Sequence, residues 1–96
     1  MIKLYFYNGG RGSLDVEHEL GITEDVDAFL LKQIPGLTPE GSDCAYDLDD
    51  NLILWFSAKD EAQCMQKIQD ILKSHLSGQS LMQYTLHLTS DFSWYD

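Results

Sequence analysis

The order of apolar and polar residues along the chain predicts five strands and two helices. Residues 2–8 are rich in aromatic and β-branched side chains, which favours a strand. In residues 14–20, three acidic residues alternate strictly with Leu14, Val16, His18 and Leu20, a period of two that is typical of a half-exposed strand. The glycine-rich residues 8–13 lie between these segments and suit a tight turn. We therefore expect the chain to open with a β-hairpin.

Helical spacing of apolar residues appears in two later segments. Residues 24–34 carry one such stripe, with Thr23 placed to cap the helix and Pro35 to end it. Residues 60–76 carry the second stripe and end before Gly78. Three further strands are predicted at residues 44–48, 52–58 and 81–89, the first two forming a hairpin and the second being central. Residues 37–43 read as a polar connection.

The predicted elements follow the order ββαββαβ within a single domain spanning residues 1–96. Both helices have one apolar stripe, and each stripe must be buried against something. We therefore predict an α+β fold in which a five-stranded, largely antiparallel sheet carries the two helices packed on one face.

The chain is strongly acidic, with 16 Asp and Glu against 6 Lys and Arg and a formal net charge of −10. Residues 1–50 hold eleven acidic and three basic side chains, a net charge of −8, so the excess is concentrated in the first half. Such a field repels nucleic acid and anionic lipid and attracts a cationic protein. Plain solubility is the alternative explanation for the charge.

The two cysteines, Cys44 and Cys64, form no CxxC pair, and a chain of this size builds a core without disulfides. Reduced thiols and a cytoplasmic location are therefore expected. The apolar start of the chain is short and unlike a signal peptide, and no stretch approaches the roughly 20 apolar residues of a membrane span. We expect no contact with the membrane.

No pattern of catalytic or metal-binding residues stands out. The glycine-rich turn precedes a predicted strand, whereas a phosphate-binding loop precedes a helix. His18, His75 and His87 lack the spacing of metal ligands, and neither cysteine has an activating neighbour in the sequence. We expect a binding protein, not an enzyme, with no catalytic residue, no metal and no cofactor.

Acidic side chains gather in two places that suit a basic partner. One is the charged face of the predicted second strand, and the other is the turn of the second predicted hairpin. The candidate partner-binding acids are Asp15, Glu17 and Glu19 in the first cluster and Asp47, Asp49 and Asp50 in the second. A plain solvated surface is the alternative for each cluster.

The end of the chain mixes aromatic rings with acids, a composition found at the centre of protein interfaces. If the last strand continues, Phe92 and Trp94 stay in phase with its buried side chains and face the core. Tyr95 then faces outward, beside Asp96. We predict that Trp94 serves stability and that Tyr95 and Asp96 contact the partner, while an interface role for Trp94 remains the alternative.

In its size, its charge, these acidic clusters and its aromatic tail, the chain resembles the small acidic immunity proteins of bacterial toxin systems, including contact-dependent growth inhibition. The resemblance implies a protein that neutralises one cognate toxin, possible targets including a nuclease, by covering its active site or a neighbouring site. It includes no family motif, so no family residue is carried over. Two alternatives stay open: a phage-encoded nucleic-acid mimic such as an anti-CRISPR protein, and a small intracellular adaptor domain.

Overall fold

A computed structural model describes residues 1–7, 15–45, 51–76 and 82–92. Within these residues the chain forms four strands and three helices in the order β-α-α-β-β-α-β. Their bounds are β1 Ile2–Tyr7, α1 Val16–Leu20, α2 Val26–Gln33, β2 Thr38–Ala45, β3 Asn51–Ser57, α3 Glu61–His75 and β4 Gln83–Leu88.

The described strands make one antiparallel sheet in the order β2-β3-β1-β4. The first strand of the chain therefore lies inside the sheet, where Leu4 faces Leu54 on β3 and Leu86 on β4. β2 pairs with β3 as the predicted hairpin, but β2 begins at Thr38, inside the segment that we expected to be a polar connection. β2 and β4 form the two edges.

The main core lies between the sheet and the helices. Alternate residues of β1, namely Ile2, Leu4 and Phe6, are fully buried on this face. Each of the three helices adds its apolar stripe to the same cluster: Val16 and Leu20 from α1, Val26, Phe29 and Leu30 from α2, and Cys64, Ile68 and Leu72 from α3. The described helices therefore cover one face of the sheet. The apolar stripes of α2 and α3 had predicted this position for those two helices.

The opposite face is also buried at its centre. Lys3, Ile53 and Trp55 point away from the helices by strand alternation, yet each exposes 3% of its surface or less. The prediction that residues 52–58 form a central strand, covered on nearly both faces, is confirmed. Phe92 packs on Trp55 at this face, with ring centroids 5.3 Å apart.

The prediction of a strand over residues 14–20 is wrong, and with it the five-stranded sheet, the two-helix count and the order ββαββαβ. Val16–Leu20 is a short helix. The Asp15 carboxylate accepts a hydrogen bond from the His18 N–H at 3.0 Å, and Gly21 ends the helix in the left-handed conformation, with φ of 70°. Val16 and Leu20, four residues apart, thus face the core together.

The remaining boundaries differ by smaller amounts. α2 begins at Val26, and Asp25 stands at its N-cap where we expected Thr23. α3 matches its prediction closely, and Asp60 caps it by accepting from the Gln63 N–H at 3.0 Å. β4 ends at Leu88 and the chain bends at Ser90 and Asp91, so Phe92 does not continue the strand into the helix-side core but packs on Trp55.

Candidate functional site: an acidic groove

α1 and the start of α2 supply the acidic side chains of a groove on the helix side of the sheet. α1 is fixed by its buried Val16 and Leu20, which leaves Glu17 on a different side of the helix, half-buried. The first turn of α2 places Asp25 and Asp27 on either side of Val26, whose side chain is buried. These three carboxylates belong to two elements but line one groove.

The floor of the groove is apolar. Leu52 and Leu54 of β3 contribute to it, together with Val26, and Ser42 of the edge strand β2 closes one side. Leu52 is only partly covered, whereas Leu54 is buried. The space measures about 210 Å³. A space of that size fits one long side chain of a partner but not a whole helix or strand.

The groove's carboxylates keep oxygen atoms available for a ligand. Asp25 stands at the N-cap of α2 without a side-chain capping hydrogen bond. Asp27 uses one oxygen to accept from the Ala28 N–H at 2.8 Å. Nearby Glu24 differs, because the Lys32 amino group lies 3.6 Å from its carboxylate. Within the described part of the chain, Glu17, Asp25 and Asp27 form no ion pair with a basic side chain.

This arrangement matches the two parts of a lysine or arginine side chain. The aliphatic stem of such a residue lies favourably on apolar surface, while its charged end seeks a carboxylate. Here the leucine floor offers the first contact and the three acids offer the second. A cation in the groove also relieves the repulsion among three negative charges.

The structure separates the acids that the predicted strand grouped together. Glu17 lines the groove, Asp15 caps α1, and Glu19 is half-buried elsewhere on the same helix. The other candidates lie outside the described residues: Asp47, Asp49, Asp50, Trp94, Tyr95 and Asp96.

Asp25 and Asp27 were not predicted as site residues. Their signal was present, because acids crowd the first turn of a predicted helix, but the helix dipole alone explains acids there. Only the packing of α2 over the sheet shows that these two carboxylates adjoin the partly exposed Leu52. That packing has no local signature in the sequence.

The described residues contain no group of three or more His, Cys, Asp or Glu side chains placed to hold a metal ion. None of their helices has the length and apolar character needed to cross a membrane.

Comparisons with protein-family models, with curated proteins and with solved structures find no match to this chain.

Proposed function

We propose that this protein binds and neutralises a basic protein partner through its acidic groove, and that it acts as an immunity protein against a bacterial toxin. The observation that carries the proposal is the joining of Glu17, Asp25 and Asp27 around a floor that includes Leu52 and Leu54. The net charge of −10 supports it, because it steers a cationic partner toward the chain.

A groove for one side chain gives specificity, not a whole interface, since a stable protein complex buries about 1,200–2,000 Å² in total. We therefore expect the anchoring lysine or arginine to be surrounded by further contacts. The acids Asp47, Asp49 and Asp50 and the tail residues Tyr95 and Asp96 remain our predicted contributors. Two further acids, Asp15 and Glu24, lie just before the helices α1 and α2 that carry the groove acids.

The geometry favours a protein partner over mimicry of nucleic acid. A mimic needs acids in a regular row that stands in for phosphates, and the predicted strand bearing Asp15, Glu17 and Glu19 supplied such a row. In the helix α1 these residues have separate surroundings. An apolar floor beneath the carboxylates also has no counterpart in a phosphate backbone, whereas it suits the stem of a long basic side chain.

The test begins with purification of the tagged chain from its native host, with partners identified by mass spectrometry. The same is done for a groove variant carrying Glu17→Gln, Asp25→Asn and Asp27→Asn. A matched control carries Glu61→Gln, Asp70→Asn and Asp91→Asn, which removes three charges outside the groove. We expect a basic protein to accompany the wild type and the control but not the groove variant.

The captured partner is then expressed in a laboratory bacterium with and without the chain. The proposal predicts that the partner alone stops growth and that the wild type and the control, but not the groove variant, restore it. A partner that is harmless on its own contradicts the immunity function while leaving the groove as a binding site. Equal capture by all three forms of the chain contradicts the groove itself.

A further inference from the structure

The two edges of the described sheet are built differently. β2 contains Pro39 and Glu40, and its pairing with β3 is irregular between Pro39 and Gly41. Proline, charge and irregular pairing are the usual means by which an edge strand avoids joining another strand. β4 has the sequence Gln-Tyr-Thr-Leu-His-Leu over residues 83–88, with no proline, acid, lysine or arginine, and pairs regularly with β1.

Apolar surface accompanies this second edge. Leu88 exposes 52% of its surface, and Leu86 and Tyr84 are only partly buried, although all three lie on the helix side of the sheet. A groove of about 260 Å³ runs between α3 and β4. Its lining includes Ala62, Met65 and Leu86. A strand placed beside β4 would cover this surface and satisfy the outer backbone groups of the edge.

We propose that the occupant is a second copy of the chain, with β4 pairing antiparallel to β4 across a twofold axis. The distribution of charge along the chain favours a second copy as the occupant. Residues 51–96, which supply α3 and β4, have a net charge of only −2, against −8 for residues 1–50. The pairing surface is therefore supplied by the less charged half of the sequence, which limits repulsion between two copies, while a strongly basic partner is drawn to the other half.

The alternation of β4 selects a register. In a continuous antiparallel sheet, directly opposed residues point to the same face, so the copies must pair odd positions with odd and even with even. Centring the axis on Leu86 places Leu86 opposite itself and Tyr84 opposite Leu88 of the other copy. In this register the Tyr84 ring of one copy covers the exposed Leu88 of the other. A register centred on Thr85 does not place an aromatic ring opposite Leu88.

The dimer leaves the acidic groove accessible. The groove adjoins Ser42 on β2, and β2 and β4 are opposite edges of the described sheet. The assembled pair would thus be one sheet of eight strands with a groove near each outer edge. The groove itself plays no part in the pairing.

Sedimentation equilibrium of the whole chain, from about 10 µM to about 1 mM, tests the pairing, because six-residue strands give a small interface and a weak dimer. We expect a reversible monomer–dimer equilibrium. Leu88→Lys should raise the dissociation constant more than about tenfold, since it places charge opposite Tyr84. The matched control is Phe92→Lys, because Phe92 is 54% exposed but lies over Trp55, away from β4. This control should dimerise like the wild type.

A wild type that stays monomeric over this range overturns the proposal. So does a dimer that Leu88→Lys leaves intact, or one that both lysine variants weaken equally. The register has its own test in a chain with Cys44 and Cys64 replaced by alanine. Oxidised glutathione should cross-link copies carrying Leu86→Cys, whereas Thr85→Cys lies too far from its counterpart. Cross-linking through residue 85 and not residue 86 contradicts the register.

Discussion

The ring of Phe92 meets the indole of Trp55 edge to face, with centroids 5.3 Å apart and ring planes at 77°. A Cβ atom added to Gly41, which faces Trp55 across the β2–β3 pair, would lie 3.4 Å from the Phe92 ring. At that distance the added atom would make an ordinary van der Waals contact, so the Phe92 ring lies over the strand at this position. Trp55 itself is 3% exposed, whereas Phe92 is 54% exposed. The pair therefore consists of a buried indole, Trp55, and a half-exposed phenyl ring, Phe92.

That difference in burial predicts different stability costs. Trp55→Ala should lower the free energy of unfolding by about 3–5 kcal/mol, as large truncations in a core do. Phe92→Ala should cost about 1 kcal/mol, since it loses an aromatic contact but little burial. Chemical denaturation of both variants measures these values. Leu88→Ala truncates an aliphatic side chain of similar exposure and is the control. It should cost less than Phe92→Ala; a larger loss would show that the ring contact contributes nothing.

Asp15 should matter for folding, independently of its predicted role in partner binding. Its carboxylate caps α1 through the His18 N–H, so Asp15→Ala should lower stability by about 1 kcal/mol. Asp15→Asn should keep most of the stability, because asparagine also caps helices well. Thermal or denaturant unfolding of both variants checks this. Equal losses in the two variants would mean that charge, and not the capping hydrogen bond, is what Asp15 supplies.

The segment that follows Asp15 shows why the prediction for the first part of the fold is wrong. Over five residues, Val16 and Leu20 satisfy a strand period of two and a helix spacing of four equally well. The flanking signals favoured a helix, since Asp15 stands at a capping position and Gly21 follows the last apolar residue. Longer patterns were more reliable. The spacing of Ile68 and Leu72 along α3 and the apolar run of β3 agree with the structure, although Cys64 and not Ala62 is buried in the first turns of α3.

Burial against β1 and the helices raises the pKa of Tyr84 above its usual value of 10.0. A raised pKa in the folded state means that the unfolded chain loses this proton more readily. The stability that the neutral phenol contributes is therefore complete below pH 10 and is lost as the pH rises above it. Between pH 8 and pH 11.5, the free energy of unfolding of the wild type should fall more steeply than that of Tyr84→Phe. Parallel pH profiles would contradict the burial effect.

The sequence predicted the residues of the candidate site less well than it predicted the strands. The sequence alone showed that the chain is acidic and that the acids are concentrated in residues 1–50, and Glu17 was among the predicted partner-binding residues. The strand row that placed it beside Asp15 and Glu19 does not form, because these residues belong to α1 and its N-cap. Their role in partner binding stays a prediction. The groove instead joins Glu17 to Asp25 and Asp27, which depends on how α1 and α2 pack over Leu52 and Leu54. Such contacts between distant segments leave no periodic pattern.

Association with the basic partner should depend strongly on salt. Long-range attraction between exposed charges is screened beyond about 8–10 Å at physiological ionic strength, so the association rate should fall as sodium chloride is raised from 20 to 500 mM. The dissociation rate should change much less. Stopped-flow or surface-based kinetics with the purified partner measures both. An association rate that does not change with salt would contradict electrostatic steering.

The most direct measurement of the central claim is an NMR titration of the chain with N-acetyl-arginine amide, using the uncharged N-acetyl-citrulline amide as the matched ligand. We expect the Leu52 and Leu54 methyl signals to shift with an affinity of about 1–10 mM for the arginine compound only, as a single ion pair with apolar contact would give. The variant with Glu17→Gln, Asp25→Asn and Asp27→Asn should lose the response, while the Glu61→Gln, Asp70→Asn, Asp91→Asn control keeps it. Equal shifts with both ligands, or an unchanged response in the groove variant, would contradict a groove that binds a cationic side chain.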